Sequence, residues 1–230
     1  MTTTNYATDT TIRTLRALDG IMWGSCLFIP LILTNSFLLS LAMPYSRFLY
    51  LLPLFIIVRS TFKIPVNYHD SDEWRTVLWR LRILTCVVLG LSPFWAWWNA
   101  APDSRYLFAN VALLLLSLFI YMHNFVTLAS VTAKLSNWSH FFQYTKFTRM
   151  AVIYIMIAPV LAFIIAAWQA NNSNWELMFF IFSTKKLLLP IVGLPTIMSL
   201  HTLVYWRQSL SRLFKENPEQ NERVSSLDNH

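Results

Sequence analysis

Residues Tyr106–Ser130 read YLFANVALLLLSLFIYMHNFVTLAS and contain no Asp, Glu, Lys or Arg. A helix needs about 20 predominantly apolar residues to cross the ~30 Å hydrocarbon core of a bilayer. This stretch is longer than that, so the sequence predicts a membrane-spanning helix here. This prediction decides the fold class, because the other long apolar stretches of the same chain are then also candidates for membrane-spanning helices.

The whole chain has the composition of a membrane protein. Of its 230 residues, 56% are hydrophobic and only 13% are charged, and its mean hydropathy is +0.47. Apolar residues at this density, arranged in long runs, are typical of chains folded in lipid. We therefore predict an all-α, polytopic helical bundle. About six transmembrane helices are expected, at 20–43, 48–64, 83–99, 106–130, 150–168 and 187–206.

Three regions follow along the chain. Residues 1–19 form a polar N-terminal tail with a short amphipathic helix, 20–206 form a single transmembrane domain, and 207–230 form a charged cytoplasmic tail that is partly disordered. Residues 131–149 are expected to be a basic, aromatic connection between spans. The segment 48–64 has two interpretations, because Pro53 interrupts it: it crosses as a short helix, or it dips into the membrane and returns.

The charge balance indicates orientation. The chain has 18 Lys and Arg against 11 Asp and Glu, a formal net charge of +7. In a membrane protein such an excess marks cytoplasmic loops, so we expect lipid rather than nucleic acid as the polyanionic partner. With six spans and both termini cytoplasmic, the outer cations are Arg47, Arg105, Lys185 and Lys186. If 48–64 does not cross, the N-terminus lies outside, whereas the C-terminus stays cytoplasmic. In a bacterium this would be the cytoplasmic membrane.

A dense polar stretch, Asn67–Arg82, interrupts the apolar sequence. Asp70 and Glu73 have the spacing of N-cap and N3 in a capping box, which predicts an amphipathic helix on the inner leaflet with Asp70 as its N-cap. The alternative is a site with carboxylate and imidazole ligands. Its candidate metal ligands are His69, Asp70, Asp72 and Glu73, of which His69, Asp70 and Glu73 are also the catalytic candidates.

Two histidines fall in predicted spans at similar depth, His123 and His201. Ionisable groups inside a membrane usually face the bundle interior and can be functional. Two histidines on different helices are also the ligands of a b-type haem. Haem or a divalent metal is therefore an alternative to simple hydrogen bonding by each ring.

Six cationic side chains are predicted to contact anionic lipid headgroups or a protein partner, because Lys and Arg near a cytoplasmic membrane surface attract anionic lipid. They are Arg75, Arg80, Arg82, Lys134, Lys146 and Arg149.

Two patterns predict helix packing. Gly20-x-x-x-Gly24 is a helix-contact motif. Asn110, Ser117 and Asn124 recur every seven residues, which favours hydrogen bonds between helices.

The tryptophans fall near predicted span boundaries, as in aromatic belts at the headgroup level. Those assigned to the inner boundary are Trp23, Trp74, Trp79, Trp138 and Trp206; those assigned to the outer one are Trp95, Trp97, Trp98, Trp168 and Trp175.

The function expected from these patterns is that of a non-enzymatic membrane subunit or scaffold. It would act through helix packing and through basic cytoplasmic loops that contact lipid, other membrane subunits or further copies of the chain. One alternative is a membrane enzyme or redox protein with a histidine and carboxylate site on the cytoplasmic face. A second is a small oligomeric transporter or channel, suggested by Pro190-x-x-Gly193-x-Pro195 in the last span, since transporters use interrupted helices.

Overall fold

A computed structural model describes residues 3–35, 49–68, 71–101, 104–169 and 185–215. These residues are helical apart from short connections, and no strand occurs among them. The helices are α1 (Thr3–Asn35), α2 (Leu51–Lys63), α3 (Asp72–Leu91), α4 (Pro93–Ala100), α5 (Arg105–Leu135), α6 (Ser139–Gln169) and α7 (Lys185–Lys215). The all-α prediction is therefore confirmed for this part of the chain.

Two helical stretches among the described residues are long and apolar enough to cross a membrane, Asp72–Trp98 and Ala109–Leu135. They contain most of the predicted spans 83–99 and 106–130. The other predicted spans do not meet the same criterion over the residues described. Helix α2 has 13 residues and rises about 20 Å, which is shorter than the ~30 Å hydrocarbon core.

The helices pack as a closed ring. Helix α1 packs on α2, α2 on α3, α3 on α5, α5 on α6, α6 on α7, and α7 returns to α1. Helix α5 also contacts α4 and α7, so the helix that contains 106–130 has neighbours on several sides.

The main apolar core lies in one half of the bundle. Fully buried side chains there include Leu18 of α1, Trp74 of α3, Leu128 of α5, Phe141 of α6 and Trp206 of α7. These residues fall in the N-terminal halves of α1, α3 and α6 and in the C-terminal halves of α5 and α7. Helices α3, α5, α6 and α7 therefore alternate in direction, and α1 runs parallel to α3. A smaller cluster around Tyr50, Val88 and Leu114 fills the opposite half.

Both ends of the chain are more helical than the sequence predicted. Helix α1 begins at Thr3, so the predicted surface helix within 1–19 is instead the start of the first long helix. Helix α7 continues to Lys215, past the predicted start of the tail at 207. The reason is packing: Leu18 and Leu210 are fully buried. The part of the tail predicted to be disordered lies outside the described residues.

An ion pair joins these two extensions. The Arg207 guanidinium donates to the Asp19 carboxylate, and each side chain is about two-fifths exposed. Because water screens a half-exposed pair, we expect a coupling energy of only about 1 kcal/mol. A double-mutant cycle of Asp19→Asn and Arg207→Gln, followed by thermal unfolding in detergent, measures it. A coupling energy near zero would show that the α1–α7 contact depends on its apolar residues alone.

The predicted connection 131–149 is instead mostly helical, with a tight turn at 136–138 between two helices. Helix α5 ends at Leu135 and α6 begins at Ser139. Asn137 adopts a left-handed backbone with φ 56°, and Trp138 N donates to the Ala133 carbonyl. This is a Schellman turn, in which Asn is one of the few residues that tolerate positive φ. Most of 131–149 is therefore helical.

The α3–α4 junction shows how the chain accommodates a proline. Pro93 has no N–H, so the Leu89 carbonyl loses its helical donor. The Ser92 hydroxyl donates to that carbonyl at 2.7 Å. The Tyr50 hydroxyl, from the start of α2, donates to the Ser92 carbonyl at 2.6 Å. The predicted span 83–99 is consequently two helices with a hydrogen-bonded break at Ser92.

The Gly20-x-x-x-Gly24 motif makes the helix contact that the sequence predicted. A Cβ atom added at Gly20 would overlap the Ser60 side chain of α2. A Cβ atom at Gly24 would lie 2.6 Å from Ile57 Cγ1 and 3.0 Å from the Pro53 carbonyl oxygen. The two glycines therefore let the backbones of α1 and α2 approach closely.

The polar stripe on α5 does not join helices as predicted. Asn110, Ser117 and Asn124 each donate at 2.8 Å to the carbonyl four residues earlier in α5. An interhelical bond on this helix comes instead from Tyr121, whose hydroxyl bonds the Thr61 side chain of α2. Short polar side chains satisfy themselves locally, whereas the longer tyrosine reaches a neighbouring helix.

The tryptophans of the predicted belts differ from one another in burial. Trp74 and Trp206 are fully buried and meet edge to face, with ring centroids 6.3 Å apart. Trp98 is also buried, whereas Trp23 and Trp79 are exposed. These three indoles therefore pack in the protein interior rather than on its outer surface.

Candidate functional site

The polar stretch Asn67–Arg82 contains the start of α3. Ser71 is the N-cap, and its hydroxyl accepts from the Trp74 N–H at 3.3 Å. The prediction that Asp70 caps this helix is wrong, because the helix begins at Asp72. Asp72 and Glu73 lie in the first turn, where the helix dipole favours negative charge.

The predicted metal ligands are only partly described. His69 and Asp70 lie outside the described residues. Asp72 bonds Arg75 at 3.5 Å, and Glu73 bonds Lys134 at 3.3 Å. Within the described ranges, no group of three or more His, Cys, Asp or Glu side chains is placed to hold a metal ion. The two described carboxylates therefore contact cations.

The loop before α3 is anchored in the core. Tyr68 stacks on Trp74, with ring centroids 4.7 Å apart, and Trp74 Nε1 donates to the Pro65 carbonyl at 3.0 Å. Burial raises the pKa of Tyr68, and a hydrogen bond with Ser136 of the α5–α6 turn partly offsets this. Tyr68 thus stays neutral and joins two turns at the same end of the bundle.

The two candidate haem ligands have different neighbours. His201 Nδ1 lies 2.6 Å from the Tyr144 hydroxyl of α6, and the two rings pack together. His123 faces α3, beside Arg80 and Leu84, and its buried Nδ1 has no hydrogen-bond partner among the residues described. His201 therefore belongs to the α6–α7 interface, and His123 to the α3–α5 interface.

Cations gather at the end of the bundle that carries the main core. Arg16, Lys63, Lys134 and Arg212 belong to helix halves that meet there. The antiparallel packing of the helices brings these segments together. The described exceptions stand at the starts of α5 and α7: they are Arg105, Lys185 and Lys186.

The six cations predicted to contact lipid separate into two groups. Arg82 is used within the protein: its Nη2 donates to the carbonyls of Phe62 and Ile64 at 3.0 and 2.7 Å. Its guanidinium also lies over the Phe62 ring, 5.3 Å from the centroid. These carbonyls end α2, where a cation is favoured. Arg75 pairs with Asp72.

Replacing Arg82 by methionine should destabilise the protein by about 2–3 kcal/mol, because two charge-assisted hydrogen bonds are lost. The midpoint of thermal unfolding in detergent reports the change. Arg80→Met is the matched control, since Arg80 is exposed two residues earlier on α3. Equal midpoints for the two variants would contradict a role for Arg82 in holding the end of α2.

The remaining four cations line two neighbouring cavities beside α5. One is a cavity of about 420 Å³ between α3 and α5, and the other is a cavity of about 190 Å³ that also involves α6. Thr127 lines both, so the two cavities are neighbours along α5. We call the two together the α5 groove. Its lining residues are Glu73, Val77, Arg80, Ile83, Leu84, Ile120, His123, Asn124, Thr127, Ser130, Val131, Lys134, Phe142, Lys146 and Arg149.

The α5 groove has a polar end and an apolar end. Lys134, Lys146 and Arg149 line the smaller cavity together with Glu73, which is the one carboxylate among the described lining residues. The larger cavity is mostly apolar, with Arg80 and His123 as its ionisable members. The arrangement can therefore bind an anion at one end and a hydrocarbon chain along the other.

The cations of this groove were expected from the sequence, whereas the groove itself was not. A signal was present on α5, where Ile120, Asn124, Thr127, Val131 and Lys134 recur at helical spacing and so lie on one face. That pattern shows which residues share one face of α5. It does not reveal that α3 and α6 leave space beside that face.

Comparisons with known proteins give no further guide to this site. No protein-family model, curated protein or solved structure matches the chain.

Proposed function

We propose that this chain is a multi-pass membrane protein that acts as a non-enzymatic subunit or scaffold. It crosses the bilayer with the six predicted segments and keeps both termini in the cytoplasm. Its basic end contacts anionic lipid or a partner membrane protein.

The apolar outer surface of the bundle is the observation that carries this proposal. Large hydrophobic side chains point away from the interior on several helices, including Phe55 (59% exposed), Tyr154 (65%) and Ile197 (66%). Soluble monomers rarely expose extended apolar surface, whereas a lipid-facing surface needs it. Both candidate membrane-crossing helices also have most of their residues outside the buried core.

The charge distribution supports the proposed orientation. The described cations concentrate in the half of the bundle where Lys134, Lys146 and Arg212 meet, as expected for a cytoplasmic side. Apart from this basic end, the best-defined contacts in the described residues are between helices. Packing and surface contact are therefore the activities best supported.

Membrane insertion and orientation are tested in two steps. The chain should stay in the membrane pellet after alkaline carbonate washing. Green fluorescent protein fused to either terminus should fluoresce, since it folds on the cytoplasmic side, and alkaline phosphatase fused there should be inactive. Release by carbonate would overturn the membrane proposal. Active phosphatase at the N-terminus alone would overturn the six-span topology and favour the version in which 48–64 does not cross.

The scaffold activity has its own test. Affinity purification in a mild detergent should recover a membrane protein at fixed stoichiometry. Recovery of the chain alone, together with solute flux after reconstitution in liposomes, would replace the scaffold proposal with the transporter alternative.

A further inference from the structure

We infer that the α5 groove binds one anionic phospholipid, with its phosphate among Lys134, Lys146 and Arg149 and an acyl chain lying past Thr127 toward Ile120. This inference rests on the proposed membrane location and names a specific ligand for the basic end.

Charge complementarity identifies the headgroup. Three cationic side chains from α5 and α6 converge on the smaller cavity, and Glu73 offsets only one of them through its contact with Lys134. Lys134 and Lys146 are exposed, while Arg149 is half-buried, so the cavity opens to the surface. Basic pockets between helices on the cytoplasmic side are suited to anionic headgroups.

The length of the groove matches a lipid chain. Lys134 and Ile120 are fourteen positions apart on α5, which corresponds to a rise of about 21 Å. A headgroup at Lys134 would therefore leave room for a chain that reaches roughly the middle of a ~30 Å hydrocarbon core. The walls at that depth are Ile83, Leu84 and Ile120, which match an acyl chain in polarity.

A lipid suits this groove better than a partner helix does. Close packing of membrane helices favours small residues that let backbones approach, as Gly20 and Gly24 do in α1. The α5 groove is instead bordered by Ile83 (50% exposed), Ile120 (37%) and Phe142 (37%). A flexible chain can follow such a surface, whereas a helix would be held away from it.

Native mass spectrometry of the full chain in detergent tests the inference. The probes are dioleoyl-phosphatidylglycerol, dioleoyl-phosphatidylcholine and inorganic phosphate. One phosphatidylglycerol should bind about tenfold more tightly than phosphatidylcholine. Phosphate alone should not displace it, because the acyl chain supplies part of the binding.

Three variants locate the lipid. Lys146→Gln/Arg149→Gln should lower the affinity for phosphatidylglycerol about tenfold and leave that for phosphatidylcholine unchanged. Lys63→Gln/Arg75→Gln removes the same charge from surfaces outside the groove, so it should bind both lipids as the original chain does. Thr127→Phe narrows the junction of the two cavities and should weaken both lipids, since it obstructs the chain.

Several results would overturn the lipid site. They are equal affinity for the two lipids, equal losses in both double variants, displacement by phosphate alone, or a co-purifying protein segment that protects Lys146 from chemical modification. Each leaves the carbonate and fusion tests unaffected. Failure of this inference is therefore distinguishable from failure of the proposed membrane location.

Discussion

Replacing Trp74 by alanine should destabilise the protein by about 3–5 kcal/mol, the range typical of large-to-small changes at buried aromatic residues. Trp74 is fully buried. Its ring stacks on Tyr68 and meets Trp206 edge to face, and its indole N–H donates to the Pro65 carbonyl. The alanine variant loses these contacts and leaves a cavity where α3, α7 and the α2–α3 loop meet.

Trp79→Ala is the matched control for this prediction. Trp79 lies five residues later on the same helix and is 61% exposed. Its loss should lower the thermal midpoint in detergent only slightly. Equal stability of the two variants would contradict the role of Trp74 in the core.

Substituting leucine for Gly24 should cost about 3 kcal/mol, which is the upper part of the usual range for overpacking. The new Cβ atom would meet the Pro53 carbonyl oxygen at 3.0 Å, and a backbone atom cannot rotate away. Gly20→Leu should be milder, because the atoms it meets belong to the Ser60 side chain. Thermal midpoints in detergent measure both changes.

Gly90→Leu provides the control, since a Cβ atom at Gly90 meets nothing within 4 Å. Replacing an exposed glycine within a helix should stabilise the protein by about 0.5–1 kcal/mol. Crosslinking between cysteines introduced on α1 and α2 reports the contact directly and should fail in Gly24→Leu alone. Equal crosslinking in all variants would show that α1 and α2 do not depend on close backbone approach.

The helical fold and its most apolar helix were predictable because they depend on local composition. The segment Tyr106–Ser130 has no Asp, Glu, Lys or Arg, and few helices of soluble proteins have an uncharged segment of this length. Helix α5 contains the whole segment. Gly20 and Gly24 were predictable for a related reason. Their spacing puts two small residues on one helix face, and small residues are useful only where another backbone comes close.

The roles of individual polar and aromatic residues were less predictable. Asn124 and Ser117 donate hydrogen bonds to carbonyls of α5 itself. Their spacing in the sequence is the same whether they bond within the helix or to a neighbouring one. Helical spacing separates Trp74, which shares a face with Val77, Leu78 and Leu81, from Trp79 on another face. It does not reveal that Trp206 of α7, more than a hundred positions away, packs against Trp74.

The candidate site shows the same division. The sequence predicts the same lipid contact for Arg82 and for Arg149. Their tasks differ because α2 ends beside Arg82, whose donors then bond its last carbonyls, while α6 places Arg149 in an open groove. Net charge predicts attraction to anionic lipid, but only the helix arrangement shows which cations remain available for it.

The pairing of Asp19 with Arg207 sets an order of events during synthesis. The two residues are separated by 188 positions, and a ribosome adds about 5–20 residues per second. Roughly 10–40 s therefore pass between the appearance of one partner and that of the other. Helices α5 and α6, joined by a three-residue turn, can associate as soon as they emerge. Helix α1 must wait for α7 before the ring closes, so chaperones have their longest opportunity to act on α1.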